Sequence, residues 1–242
     1  CSVTLRFGPS SFGDYSASLV VQSDDPAAST VRASILGSYI EVLDIDVAIS
    51  QIDACPREST ASAFVSVTDQ AGFPIAGLTL ANFSIRESGN DANLDFVESV
   101  AAANSSLSLS IMMDYSNTIT QFPEVQQNME DAAALLVQNL GAGDEADIVK
   151  FSFNPKFMLD DFSSDKALLL DAVAADPDLP GGSRFYDATL AVLERLKDRT
   201  KDRKAIVALT DGRDSSQNTD IPTLVAAAEL YNIPVFPVGL GN

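Results

Sequence analysis

Three short polar segments, Asp114-Tyr-Ser-Asn-Thr118, Gly181-Gly-Ser183 and Thr210-Asp-Gly212, are the places in this chain where side chains could do chemistry. Between them Asp114, Asp211, Ser116, Thr118 and Ser183 offer two carboxylates and three hydroxyls. These are hard oxygen donors, and one divalent cation of the magnesium, manganese or calcium kind suits such a set. The chain contains no histidine at all. That removes Ser-His-Asp and Cys-His nucleophile activation and the common His-rich zinc sites. There is also no G-x-x-x-x-G-K-[ST] phosphate cradle and no identifiable general base, so no catalytic residue is assigned. Each segment alone is a weak signal, because Asp-Gly and Asp-x-Ser are ordinary turn and loop sequences and the same residue types cap helices.

Position gives the three segments their weight. From about residue 105 strands alternate with helices, the pattern of a parallel sheet covered on both faces. Ser108–Met113 is the first buried-strand candidate, and a helix over Pro123–Leu140 follows, with Val125, Met129, Ala132, Leu136 and Leu140 on one face and Gly141 to end it. Then come a strand over Ala146–Phe153, a helix over Asp165–Ala175 and a loop of turn formers, Asp176–Ser183. The series continues with a helix through Tyr186, Leu190, Leu193 and Leu196, a strand Lys204–Leu209, a helix near Thr223–Tyr231 and a strand Pro234–Val238. Right-handed crossovers in such a sheet put the loops after the strand C-termini on one edge, and all three polar segments fall there. Asp144 reads as a turn or cap residue and Asp187 as an early-helix acid that favours the dipole.

The first hundred residues read differently, as short strands and turns. Val3–Phe7, Tyr15–Val21 and Thr30–Leu36 alternate with the two-residue strand period, broken at Gly8–Gly13 and at the turn Ser23–Pro26. Three such strands cannot make a sandwich alone, so residues 1–38 are expected to borrow strands from elsewhere in the protein or from a neighbouring chain. A second β-rich stretch, 39–104, holds strands at Val42–Ile49, Ala63–Thr68 and Phe83–Glu87 and a turn at Asp69–Gly72. Asp44 and Asp46 alternate on a strand and are read as a solvated face.

The formal charge is −19, which argues against nucleic acid and anionic membranes as partners. No stretch approaches the roughly 20 apolar residues of a membrane span, so direct membrane insertion is not expected. Cys1 opens directly into a strand-like sequence, which reads as an internal cut rather than a leader. Cys1 and Cys55 form a disulfide only if the fold brings their α-carbons within about 7 Å.

The three polar segments together resemble the metal-ion-dependent adhesion site of von Willebrand factor type A domains, whose pattern is Asp-x-Ser-x-Ser, a distant Thr and a later Asp. Asp114 and Ser116 match the opening pair, Thr118 stands where a second Ser is usual, Ser183 where Thr is usual, and Asp211 matches the last acid. Both replacements keep a hydroxyl. The resemblance implies an α/β doubly wound, mostly parallel sheet over 105–242, with the last strand and helix usual in the family missing after Gly241-Asn242. It further implies that the hydroxyls and Asp114 hold the cation, that Asp211 orients a coordinated water, and that an open coordination position takes an Asp or Glu of a protein partner.

Two other stretches resemble immunoglobulin-like modules. Cys1–Pro9, Phe12–Leu19 and Ser23–Pro26 are similar to the C-terminal half of an abnormal-spindle/hydin type domain, and Val65–Glu87 is similar to the immunoglobulin-like segment preceding type A domains in bacterial surface proteins. The expectation is therefore a multidomain chain: a partial module at 1–38, an immunoglobulin-like β module at 39–104 and a type A domain at 105–242. Its expected place is extracellular or at the cell surface, and its expected role is adhesion through a divalent cation. The alternative is a structural or assembly subunit, a filament, sheath or spacer, in which the metal only stabilises.

Overall fold

The computed structural model describes residues 13–22, 30–39, 44–55, 60–179, 181–216 and 218–240. The expected strand Val3–Phe7, the turn Ser23–Pro26 and Cys1 lie outside them. Described residues up to Ala48, together with Ser66–Ala76, make one compact unit; Ile49–Val65 and the residues from Gly77 onward make the other.

In the N-terminal part, β1 (Gly13–Gln22) pairs antiparallel with β2 (Thr30–Tyr39) in an unbroken register from Gly13 opposite Tyr39 to Gln22 opposite Thr30. β3 (Ile45–Cys55) and β4 (Thr60–Asp69) form a second two-stranded sheet. The turn expected at Asp69–Gly72 is present. Its Asp69 side chain accepts hydrogen bonds from the amides of Ala71 and Phe73, and Gly72 takes the positive φ of 82° that the turn requires. A single 3-10 turn at Leu80–Asn82 precedes the small antiparallel pair β5 (Ile85–Glu87) and β6 (Asn90–Ala92), and a helical turn α1 (Val100–Ala103) follows. These separate pairs do not by themselves make a sandwich among the described residues, because two strands have no second sheet on which to bury a face.

From residue 107 the chain becomes the expected α/β domain. The order is β7 (Leu107–Asp114), α2 (Asn117–Thr120), α3 (Pro123–Asn139), β8 (Glu145–Phe151), β9 (Pro155–Phe157), α4 (Lys166–Ala174), α5 (Phe185–Leu196), β10 (Arg203–Thr210), α6 (Ile221–Tyr231) and β11 (Val235–Gly239). The sheet runs β11-β10-β7-β8-β9, with the first four strands parallel and the edge strand β9 antiparallel to β8. β9 and α2 are too short to show a period and have no counterpart among the expected elements.

Alternation along each strand sends side chains to two separate cores. Ile111, Met113 and Ile148 pack against Met129, Ala133 and Val137 of α3 and Leu169 and Val173 of α4. Met112, Val149, Phe151, Ile206 and Ala208 pack against Phe185, Ala188, Val192 and Leu196 of α5 and Leu224 of α6. Full burial of each large side chain contributes about 1.5–3 kcal/mol, and β7, central and covered on both sides, supplies Leu109, Ile111, Met112 and Met113 to these cores.

Local chemistry sets the boundaries. Asp165 caps α4, accepting from the amides of Ala167 and Leu168, and Asp220 caps α6, accepting from Thr223. Asn232 ends α6 in the left-handed region at φ 56°. The Asp144 carboxylate accepts from the amides of Leu107 and Gly141, closing the turn between α3 and β8 onto the start of β7. At the same end of the sheet Gln51 of β3 donates to the Asp202 carbonyl and accepts from the Lys204 amide. Asn232 donates to the Ile52 carbonyl and accepts from its amide, so two side-chain amides tie this part of β3 to the domain. The C-terminal ends of the parallel strands, at the opposite edge, are left for the polar loops.

Candidate metal centre

Asp114 is the last residue of the central strand and is completely buried. One carboxylate oxygen, Oδ1, accepts from the Ser116 amide at 2.9 Å, which folds the chain back immediately after the strand. The other, Oδ2, accepts from Thr210 Oγ1 at 2.7 Å and from Ser183 Oγ at 3.4 Å. Ser116 Oγ lies 3.0 Å from Thr118 Oγ1. Four of the five expected residues are thus joined in one hydrogen-bonded chain that crosses two loops.

Asp211 completes the set electrostatically. Its charge acts on Asp114, while its own carboxylate accepts from the Arg213 amide at 3.0 Å and sits 3.7 Å from Arg213 Nε. The Arg213 side chain is 73% exposed, so this ion pair is a surface contact of little strength.

The second loop reaches the first by close approach. A side chain at Gly181 would put its Cβ 1.9 Å from Asn117 Oδ1, and one at Gly182 would lie 2.2 Å from Phe153 Cε1, at a φ of 130° that favours glycine. The pair is therefore required to let Ser183 meet Asp114. The third loop then braces the second: Ser215 donates through both its amide and its hydroxyl to the Ser183 carbonyl, at 2.7 and 2.6 Å. Two amides in the first turn of α5 are also capped from this loop, Tyr186 donating to Asp214 and Asp187 to Ser216 Oγ. Asp187 lies in the first turn of α5, as expected of an early-helix acid.

Burial pushes the Asp114 carboxyl above its ordinary range; the bonds from Ser116 and Thr210 pull it down and the charge of Asp211 raises it again. None of these influences is cationic. A buried carboxylate near a second acid is costly, and a divalent cation would offset that cost. The donor spacing fits as well. Metal–oxygen distances of about 2.1 Å in an octahedron separate neighbouring oxygens by about 3 Å, and Ser116 Oγ and Thr118 Oγ1 are 3.0 Å apart, Ser183 Oγ and Asp114 Oδ2 3.4 Å. Among the described residues no group of three or more Asp, Glu or Cys side chains is arranged to hold a metal, so this centre, with two acids and several hydroxyls, is of a different composition.

Comparison with known proteins now decides the family. The sequence model of the von Willebrand factor type A domain matches residues 109–242. The chain belongs to this family. Type A domains are a non-catalytic adhesion and protein-interaction fold, which gives residues 109–242 that general role. No curated protein sequence matches the chain.

Among solved structures, proximal thread matrix protein 1 from the mussel byssus, with a zinc-occupied metal-ion-dependent adhesion motif, is 18% identical, covering 57% of this chain and 36% of that one with a TM-score of 0.51. A conserved hypothetical protein, BatB, from Bacteroides thetaiotaomicron is 20% identical over 55% of this chain and 66% of that one, with a TM-score of 0.48. A von Willebrand factor type A protein from Catenulispora acidiphila is 16% identical over 81% of this chain and 40% of that one, with a TM-score of 0.48. The chain thus spans less than two thirds of each of these proteins. The mussel protein shares the type A fold; at 18% identity it shows no more than that.

Sequence reasoning missed two groups at this edge. Thr210 stands in the third segment, read as a loop after the strand Lys204–Leu209, and was given no role there, although it is the last residue of β10 and its hydroxyl makes the shortest bond to Asp114. Lys150 is the other. It is fully buried in β8, and its Nζ donates to Tyr115 Oη, to the Val173 carbonyl and to the Ala175 carbonyl. Burial lowers the Lys150 ammonium to about 8, with Glu130 and Asp176 opposing the shift, so it is mostly charged at neutral pH. A lysine and an aspartate, Asp147, inside an otherwise apolar strand were the available signal, since a buried strand admits charge only where it is satisfied.

Proposed function

We propose that the type A domain binds one hard divalent cation, magnesium, manganese or calcium, through Asp114, Ser116, Thr118, Ser183 and Asp211, and uses it to ligate an Asp or Glu of a protein partner. The observation that carries this reading is the buried Asp114 carboxylate, bonded by the hydroxyls of Thr210 and Ser183 and acted on by the charge of Asp211. Asp114 supplies the main electrostatic hold, the three hydroxyls complete the shell, and Asp211 orients a coordinated water. When bound, the cation would supply an electrophilic position for a carboxylate oxygen of the partner. The zinc-occupied motif named for the mussel protein supports a divalent cation in this fold.

The surrounding modules fit a surface role. Residues 1–38 and 39–104 are read as immunoglobulin-like modules of an extracellular or cell-surface chain, to which the paired strands β1–β2 and β3–β4 lend support. No helix among the described residues is long and apolar enough to cross a membrane. A second reading, assembly by strand addition, is favoured by β3, where Ile45, Val47 and Ile49 alternate along the strand and are all more than half exposed.

Thermal unfolding of the full chain and of Asp114→Ala, each with magnesium, manganese or chelator, tests the cation reading. A saturating cation at about 100 times its Kd adds about 2.7 kcal/mol to the folded state. A rise in midpoint confined to the wild type is expected; no rise in either protein would favour the assembly reading.

A further inference from the structure

We propose that Lys150 is a positioning residue that, through Tyr115, sets the spacing between the first and second loops of the candidate cation site. The proposal rests on the cation reading above and assigns it a part that no ligand of the site plays. Lys150 stands on β8 beside the first loop and makes three hydrogen bonds, as many as an ammonium can donate. One goes to Tyr115 Oη at 2.9 Å. The other two go to the Val173 carbonyl at 2.6 Å and the Ala175 carbonyl at 2.5 Å, at the C-terminal end of α4.

One acceptor belongs to the first loop and the other two to the last turn and C-cap of α4. Tyr115 lies between Asp114 and Ser116, and it is held at both ends: its amide donates to the Phe151 carbonyl at 2.7 Å, and its hydroxyl donates to Glu130 of α3 at 2.8 Å while accepting from Lys150. Neither flanking ligand can move far while Tyr115 is so fixed. Val173 and Ala175 are the root of the loop that runs on to Gly181, Gly182 and Ser183, and their carbonyls are among those a helix end leaves without an intrahelical partner. A single buried ammonium on β8 therefore ties the end of α4, from which the second loop departs, to Tyr115 of the first loop. Ser183 Oγ and Asp114 Oδ2, one from each loop, stand at the long distance of 3.4 Å, where a small change in loop spacing decides whether both reach one ion.

The test uses the full chain as wild type, Tyr115→Phe, Lys150→Met and Asp165→Ala, the last removing the cap at the other end of α4 without touching Lys150. Manganese affinity is measured by titration calorimetry, and hydrogen exchange at residues 173–176 is followed with and without manganese. Tyr115→Phe deletes one oxygen and keeps the ring, so it remains informative if Lys150→Met does not fold.

The expected result is a loss of manganese affinity of about tenfold or more in Tyr115→Phe and Lys150→Met, the size typical of groups that orient ligands from behind. Wild-type and Asp165→Ala chains keep their affinity, and manganese slows exchange at 173–176 in these two alone. Wild-type affinity in Tyr115→Phe, with the same exchange response, would overturn the positioning role while leaving the cation site standing. No manganese binding in the wild type would overturn both.

Discussion

Thr210→Val removes one oxygen from the candidate centre and keeps the shape of the side chain, which makes its consequence calculable. In the folded protein Thr210 Oγ1 donates to Asp114 Oδ2 at 2.7 Å and accepts from the Gly212 amide at 3.1 Å. Valine cancels both bonds. The buried carboxylate oxygen would then keep only the Ser183 contact at 3.4 Å, too long to compensate. A hydrogen bond to a charged group is worth about 1.5–3 kcal/mol, while the Gly212 amide lies on an exposed turn and can turn to water. The expected loss in chelator is therefore about 1.5–3 kcal/mol, or about 4–10 °C in the midpoint of a domain of this size. Urea unfolding in chelator measures it directly. With saturating manganese the loss shrinks if the ion takes over the role of holding Oδ2, so the two conditions separate the hydrogen bond from the cation. A loss below about 0.5 kcal/mol in chelator, the ordinary size for a surface substitution, would refute the view that Asp114 is held ready by Thr210.

Gly182→Ala forces a Cβ to within 2.2 Å of Phe153 at a φ of 130°. It should cost at least about 1–3 kcal/mol of strain and weaken manganese binding by displacing Ser183; unchanged stability and affinity would contradict the packing of the second loop. Asp147, fully buried and 3.0 Å from Arg195 Nε, has its carboxyl pushed up to about 6, chiefly by burial. A carboxyl raised above its unfolded value binds its proton more readily in the fold, so stability falls as pH rises from about 4 to 6, by up to about 3 kcal/mol. Asp147→Asn should abolish that slope in denaturant titrations across this range, and a slope unchanged in the variant would refute the assignment.

The α/β half of the molecule was legible because its signals are local and repeated. The apolar-rich stretches Ser108–Met113 and Lys204–Leu209 pointed to β7 and β10, and the three- and four-residue steps after Pro123 found α3 to within a residue. Strand order places the loops after the parallel strands at one edge irrespective of side-chain detail, and Asp114, Ser116, Thr118 and Ser183 come within hydrogen-bond reach of one another there. Thr210 and Lys150 escaped because their roles are set by partners about 100 and 35 residues away, through bonds that have no sequence period. The edge strand β9 escaped because a three-residue strand carries no alternation to read. In the N-terminal part strand positions were legible in Tyr15–Val21 and Thr30–Leu36, which fall inside β1 and β2. How such pairs close into a module depends on long-range partners that alternation does not specify.

Anomalous diffraction from crystals of the chain grown with manganese tests the central claim most directly. A single strong peak about 2 Å from the hydroxyl oxygens of Ser116 and Thr118, beside Asp114 and Ser183 and absent in Asp114→Ala crystals, is the predicted result. Density at that edge with no peak, or a peak held by other residues, would contradict it.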